Sequence, residues 1–198
     1  DKFPRLNTPD VSYHGVVYTD AFGPAAFIGR ARVVPLRNMG AAISPFNAFL
    51  ILQGIETVTL RMDRICENTL KVAQFLKGHA KVSWVNYAGL PDHRDHALVQ
   101  KYMGGRASGI LNFGVKGGAG DAKAAGARFQ DALQLVVRLV NIGDCKSLAC
   151  HPASTTHRQL APEEMAKAGV SEDMVRLSIG IEHIDDILAD LDQALKAA

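Results

Sequence analysis

The chain has 198 residues, of which 47% are hydrophobic and 21% are charged. These proportions are close to those of ordinary globular domains, so disordered, fibrous and collagen-like proteins are excluded. The 22 basic and 20 acidic side chains give a net charge of +2 and are spread without a run of like charge, so we expect no nucleic-acid partner.

The first forty residues contain four prolines, at positions 4, 9, 24 and 35, and we predict that they form loop and irregular chain. The sequence begins at Asp1 and not at a methionine. We interpret this beginning as a start within a domain.

A first helix is predicted from Ser44 and Pro45 to Gln53, because serine is favoured as an N-cap and proline at the first helical position. Gly54 can end or bend this helix. The apolar stretch 41–53 is too short to cross a bilayer, and no signal-peptide pattern is present. We therefore expect no membrane contact.

A long amphipathic helix follows and ends at Gly78, because apolar residues recur there at spacings of three, four and seven. Beyond it the apolar period changes to two, which predicts strands at 82–87, 108–115, 135–142 and 174–181. Helices are predicted at 94–103, 122–133 and 162–168 and from about His183. From about residue 60 onward this order predicts an α/β or α+β layer with one covered sheet face.

Arg176 is the most informative position in the predicted strands. The alternation in 174–181 turns Val175, Leu177, Ile179 and Ile181 toward the core and Arg176 toward the other face. A guanidinium there suits bidentate capture of a carboxylate. The alternative is an arginine on a solvated sheet face or in a structural ion pair.

Asn141 is a polar residue at the end of the predicted strand 135–142, in line with apolar residues. It could contact a ligand, or it could bond loop backbone, which is a common role for asparagine. The residue types alone leave both interpretations open.

The segment 145–157 is predicted to be a hydrogen-bonded loop near a cleft. It contains Cys145, Cys150, His151 and His157, but their spacing fits no zinc motif, so we expect no metal. Cys150 and His151 are adjacent and lack an orienting third group, which argues against a nucleophile pair. With Cys66, the chain has three cysteines, an odd number that fits a reducing cytoplasm.

Several segments together resemble the Cys/Met-metabolism family of pyridoxal-phosphate enzymes, and the match runs in order through nearly the whole chain. The segments are GAAISPFNAF (40–49), LRMDR (60–64) followed by Glu67 and Asn68, WVNY (84–87), GLP (89–91), FGVKGG (113–118), HPASTTH (151–157) and VRLSIGIEHIDD (175–186).

The resemblance implies the fold type I transferase architecture. Residues 1–59 are expected to be the end of the large cofactor domain with its connecting helix. Residues 60–198 are expected to form the small carboxy-terminal α+β domain, with a mostly antiparallel four-stranded sheet flanked by helices. By position, Arg176 is expected to bind the substrate α-carboxylate and Asn141 to contact the same group. His151 and Thr156 are expected to lie next to these two residues, away from the substrate, and to hold them in position.

The resemblance also implies pyridoxal 5'-phosphate as the cofactor, held mainly by an amino-terminal portion that precedes this segment. No lysine here follows a short serine- or threonine-containing strand, as the Schiff-base lysine of the family does. We therefore expect no catalytic residue in this chain and no activity of the chain by itself.

The motifs are most similar to the sulfhydrylase branch of the family, which implies conversion of O-acetylhomoserine and sulfide to homocysteine and acetate in methionine biosynthesis. Methionine γ-lyases, O-succinylhomoserine sulfhydrylases and cystathionine γ-synthases or lyases share the arginine strand and remain alternatives. So does a truncated, non-catalytic domain. The implied partners are the amino-acid substrate, sulfide, the amino-terminal portion of the same enzyme and further copies in a cytoplasmic homotetramer.

Overall fold

The structure is a computed structural model that describes residues 2–118 and 121–198. The chain divides into two compact units, Asp1–Gly54 and Ile55–Ala198. Within the described residues, no helix is long and apolar enough to cross a bilayer.

The first unit is largely helical, so the prediction of irregular chain over the first forty residues was wrong. Its elements are α1 (Pro4–Asn7), a 3-10 turn (Val11–Tyr13), α2 (Tyr18–Phe22), a second 3-10 turn (Gly23–Ala25), α3 (Ala26–Ala31), a π-helical turn (Arg32–Leu36) and α4 (Arg37–Met39). Helix α5 (Pro45–Glu56) follows and continues through Gly54. Pro4 and Pro24 occupy the first turns of their helices, where the missing N–H costs no hydrogen bond.

The described residues of the second unit form one five-stranded sheet with helices. In chain order it contains α6 (Val58–Gly78), β1 (Val82–Asn86), α7 (His96–Met103), β2 (Ile110–Val115), α8 (Ala122–Ala132), β3 (Val137–Arg138), β4 (Leu148–Cys150), a 3-10 turn (Pro152–Ser154), α9 (Pro162–Lys167), β5 (Met174–Ser178) and α10 (Ile184–Ala197). The strand order is β1-β2-β5-β4-β3. All pairs are antiparallel except β3 with β4, which are parallel.

The mixed α/β class and the mostly antiparallel sheet are confirmed, but the described residues form five strands where four were predicted. The additional strand, β4, lies in the segment predicted as a loop, where all three of its residues are buried and give no alternating pattern. The predicted strand 135–142 is reduced to β3. At its amino-terminal end the backbone N–H groups of Leu135 and Val136 donate to the carboxylate of Asp190, not to a neighbouring strand, whereas the N–H of Leu139 still donates to Ala149 on β4.

Helices α6, α8 and α10 cover one face of the sheet. Phe113 and Phe129 meet edge to face there, with ring centroids 5.4 Å apart, and both are fully buried. Val175, Leu177 and Ile179 are also fully buried, which confirms their predicted orientation. Ile181 is 38% exposed, contrary to the prediction, because β5 already ends at Ser178. The opposite face of β5 therefore carries Arg176.

Candidate functional site

Arg176 lies in the middle of β5, between two strands that place a side chain directly beside it. Asn112 on β2 and Cys150 on β4 are its register partners. Directly opposite residues in an antiparallel pair project to the same face of the sheet. We call Asn112, Arg176 and Cys150 the polar row; it crosses the sheet on the face opposite α6, α8 and α10.

Arg176 makes no ion pair with any acidic residue in the described part of the chain. Its Nη2 donates one hydrogen bond of 3.3 Å, to the backbone carbonyl of Asn141. A guanidinium has five N–H donors in a planar fork. The interpretation as a structural ion pair is therefore not supported, and most of the fork is available to a carboxylate.

Asn141 follows β3, and the structure brings it to Arg176 through its backbone oxygen. Its side-chain Oδ1 accepts a hydrogen bond of 2.9 Å from the backbone N–H of Ile142. Asn141 is exposed. Both interpretations of this residue thus have a physical basis. Its side-chain amide stabilises the loop, and the residue lies beside Arg176, which is predicted to bind a carboxylate.

A buried polar network ties the loop after Asn141 to the chain that follows β5. The carboxylate of Glu182 accepts hydrogen bonds from the backbone N–H and the hydroxyl of Ser147, at 2.6 and 2.9 Å. The Ser147 hydroxyl in turn accepts from the backbone N–H of Gly180 at 2.9 Å. Asn68 on α6 donates to the carbonyls of Gly180 and Glu182. These bonds fix the end of β5 relative to the loop between β3 and β4.

This network was not predicted from the sequence. Asn68 and Glu182 stand within the segments that carry the family resemblance, yet they are 114 residues apart. Only the fold brings such a pair together. The signal that the sequence offered was the presence of these two polar residues inside segments that carry the family resemblance.

His151 is fully buried immediately after β4 and holds the turn that follows. Its Nε2 lies 2.8 Å from the carbonyl of Glu172, which can only accept, so Nε2 carries the proton. Nδ1 of the neutral ring then accepts from the Ser154 hydroxyl at 2.8 Å. Burial lowers the pKa of His151 and favours this neutral form. Gly126 on α8 leaves room for the ring, since a Cβ there would meet its Nε2.

Thr156 is exposed, and its hydroxyl lies 2.8 Å from Nδ1 of His157. Among the described residues, no hydrogen bond joins Thr156 or His151 to Arg176. The predicted supporting roles of these two residues toward the substrate therefore stay predictions. In the structure, the hydrogen bonds of His151 stabilise the turn that follows β4.

The model of the Cys/Met metabolism PLP-dependent enzyme family matches residues 12–196. The chain belongs to this family.

Curated members of the family are close relatives over nearly the full chain. O-acetyl-L-homoserine sulfhydrylase 1 of Thermus thermophilus is 50% identical over 194 residues, which is 98% of this chain and 45% of that protein. O-acetyl-L-homoserine sulfhydrylase of Leptospira meyeri is 51% identical over 204 residues, again covering 98% of this chain and 45% of the relative. The chain thus spans about half the length of the curated relatives that it matches.

A solved structure has the same fold over nearly the whole of this chain. It is described as an O-acetylhomoserine (thiol)-lyase from Campylobacter jejuni, and it contains N'-pyridoxyl-lysine-5'-monophosphate. The two chains are 43% identical and superpose with a TM-score of 0.83. The match covers 98% of this chain and 45% of that chain.

The family implies a lysine-bound cofactor, and the lysines of this chain do not fit that group. All ten are exposed, whereas a lysine that bonds a carbonyl carbon needs desolvation or a cationic neighbour to lower its pKa. Several are committed to surface contacts, such as Lys71 with Glu67 and Lys77 with Asp92. Within the part of the chain that the structure describes, no group of acidic, cysteine or histidine side chains is arranged to bind a metal.

Proposed function

We propose that this chain is the carboxy-terminal part of a pyridoxal-phosphate-dependent O-acetyl-L-homoserine sulfhydrylase, which converts O-acetylhomoserine and sulfide to homocysteine and acetate. The observation that carries the proposal is Arg176, a mid-strand guanidinium without an acidic partner in the described residues and beside Asn141. The names of the relatives supply the reaction.

The role of Arg176 in this reaction is to bind and orient the substrate α-carboxylate. A planar fork that bonds both carboxylate oxygens fixes the rotation of the substrate about Cα as well as its position. The Asn141 carbonyl holds Nη2 and so limits the rotation of the fork. Orientation of this kind contributes to the rate as well as to affinity, because misplacement of the reacting bond raises the barrier.

The cofactor, when bound, supplies an electron sink for carbanion chemistry. Since no lysine of this chain fits its attachment, we propose that the remaining part of the enzyme holds it. We also propose that residues 1–59 belong to the large cofactor domain and that residues 60–198 form the substrate-binding domain. The compact unit Ile55–Ala198, which contains the whole sheet, supports this division.

Two further properties of the whole enzyme are proposals. We propose a cytoplasmic enzyme, supported by three free cysteines, of which Cys145 is exposed. We propose a homotetramer, supported by the family. The exposed apolar side chains of α5, including Phe46 and Phe49, are available for contacts in that larger assembly.

The proposal is tested by replacing Arg176 with lysine in the complete enzyme and measuring homocysteine formation. Lysine keeps the charge but loses the fork, so we expect kcat/KM for O-acetyl-L-homoserine to fall about 100-fold, or about 2.7 kcal/mol. Arg94→Lys is the matched control, because the Arg94 side chain is 89% exposed. Wild-type kinetics in Arg176→Lys would contradict the proposal. Methionine, cystathionine and O-succinylhomoserine, offered as substrates to the wild-type enzyme, test the other members of the family.

A further inference from the structure

Asn112 shares the sheet face of Arg176 and is its direct neighbour on β2. Leu111 and Phe113, on either side of it in the sequence, are buried in the core at 1% and 0% exposure. Alternation along the strand therefore turns Asn112 to the opposite face, where the polar row lies. Asn112 is thus a polar residue in the middle of β2, a strand that has a neighbour on each side.

The side-chain Oδ1 of Asn112 is buried and accepts no hydrogen bond within the described residues. A buried carbonyl oxygen without a donor destabilises the folded state, so such a group in a folded protein requires a reason. The indole N–H of Trp84, on the neighbouring strand β1, is already used, because it donates to Asp173 at 2.9 Å. Arg176, the register partner of Asn112 on β5, is the cationic side chain beside this position, and among the described residues no hydrogen bond joins the two side chains.

The geometry of an arginine decides which of its donors can reach each neighbour. Directly opposite side chains in an antiparallel pair have Cβ atoms about 4.5–5.5 Å apart. Nε is the guanidinium nitrogen closest to the backbone, so it is the donor that a rotation of the Arg176 side chain brings to a cross-strand amide. Nη2 lies farther out and reaches the Asn141 carbonyl at 3.3 Å. Asn112 and Asn141 therefore offer acceptors to different parts of one guanidinium.

We propose that Asn112 is a positioning residue for Arg176: when the Nη1 and Nη2 hydrogens bind the substrate carboxylate, the guanidinium turns so that Nε–H donates to Oδ1 of Asn112. The five donors are then divided into one for Asn112, one for the Asn141 carbonyl, two for the carboxylate and one for solvent. This division selects end-on binding of the carboxylate, because the side of the fork that includes Nε is occupied. The inference rests on the proposed function of Arg176 and adds the residue that selects its binding edge.

The test replaces Asn112 by alanine in the complete enzyme loaded with pyridoxal phosphate. Loss of the Nε acceptor frees the other edge of the fork for the carboxylate, so we expect KM for O-acetyl-L-homoserine to rise about 10-fold and kcat to fall as well, because a misplaced substrate reacts more slowly. Asn86→Ala is the control, since Asn86 is the next residue in register beyond Asn112 and is exposed. It should leave KM unchanged. A role in folding alone would lower the yield of active enzyme and would not move KM.

Asn112→Asp is the second variant and keeps the shape of the side chain. Its carboxylate pairs with Arg176 and repels the substrate carboxylate, so we expect KM to rise more than in Asn112→Ala, by about 100-fold. If both variants keep KM within twofold of the wild type, the inference is overturned. Should Arg176→Lys lose activity at the same time, the proposed function stands and only the role of Asn112 fails. Unchanged kinetics in Arg176→Lys would instead remove the proposed function itself.

Discussion

The sheet of the second unit has two faces with different chemistry. On one face, Phe113, Val175 and Leu177 are fully buried beneath α6, α8 and α10. On the other, the same strands present Asn112 and Arg176, whose polar atoms are incompletely paired within the described residues. Neighbouring residues of one strand lie on opposite faces of the sheet. One residue therefore contributes to stability, and the next contributes to substrate recognition. Substitutions on the two faces should therefore differ in kind.

The largest effect is expected from Phe113→Ala on the covered face. Removal of the ring deletes the contact with Phe129 and leaves a cavity, so the free energy of unfolding should fall by about 3–5 kcal/mol. Urea unfolding followed by the fluorescence of Trp84, the one tryptophan of the chain, measures the change. Arg176→Ala is the comparison, and we expect it to cost less than about 1 kcal/mol. Equal losses in the two variants would break the distinction between the faces.

A smaller loss of stability is expected when a buried carboxylate on the covered side of the sheet is removed. Asp190 on α10 is 6% exposed, and its carboxylate accepts from the backbone N–H groups of Gln134, Leu135 and Val136, each at 2.9 Å. Asp190→Ala leaves these donors without their acceptor, so we expect a loss of about 3 kcal/mol. Thermal unfolding by circular dichroism is the measurement.

Asp186→Ala on the same helix is the control for Asp190, because Asp186 is exposed and contributes only through the helix dipole. A loss in Asp190→Ala no greater than that in Asp186→Ala would mean that the chain before β3 finds other acceptors. The covered face would then depend on apolar packing alone.

The sequence predicted the two faces well where alternation continues over several residues. In β5 the apolar positions and Arg176 lie on opposite faces, as expected. The same pattern could have singled out Asn112 between Leu111 and Phe113. What alternation cannot supply is the register that places Asn112 beside Arg176, since that depends on pairing between residues 64 positions apart.

The sequence failed where long-range hydrogen bonds replace regular pairing. The apolar alternation at 135–142 predicts a strand, but Leu135 and Leu139 are 38% and 51% exposed. The Asp190 carboxylate holds the backbone there, and nothing local to 135–142 reveals it. In β4, three buried residues in succession lack the alternation that identifies a strand. The first error reflects a contact made across the fold, and the second reflects a strand that is buried at every position.

The smallest expected effect is a dependence of stability on pH through His151, which packs against α8 on the covered side. Burial lowers its pKa in the folded chain, whereas the unfolded chain has the ordinary value near 6.5. Between these two values the unfolded state binds the extra proton. Stability from this residue is therefore fully present above about pH 6.5 and decreases as the pH falls toward the lowered value, by up to about 1.4 kcal/mol per pH unit.

Urea unfolding at several pH values between about 5 and 7.5 measures this slope in the wild type and in His151→Gln. Glutamine can donate to the Glu172 carbonyl and accept from Ser154 but does not titrate in this range, so the variant should have a flatter profile. His14→Asn, at an exposed position, is the control and should retain the wild-type slope. Carboxylates whose pKa is lowered by partners, such as Glu67 beside Lys71, lose their contribution only at lower pH. An identical slope in His151→Gln and the wild type would show that burial of this ring does not couple protonation to folding.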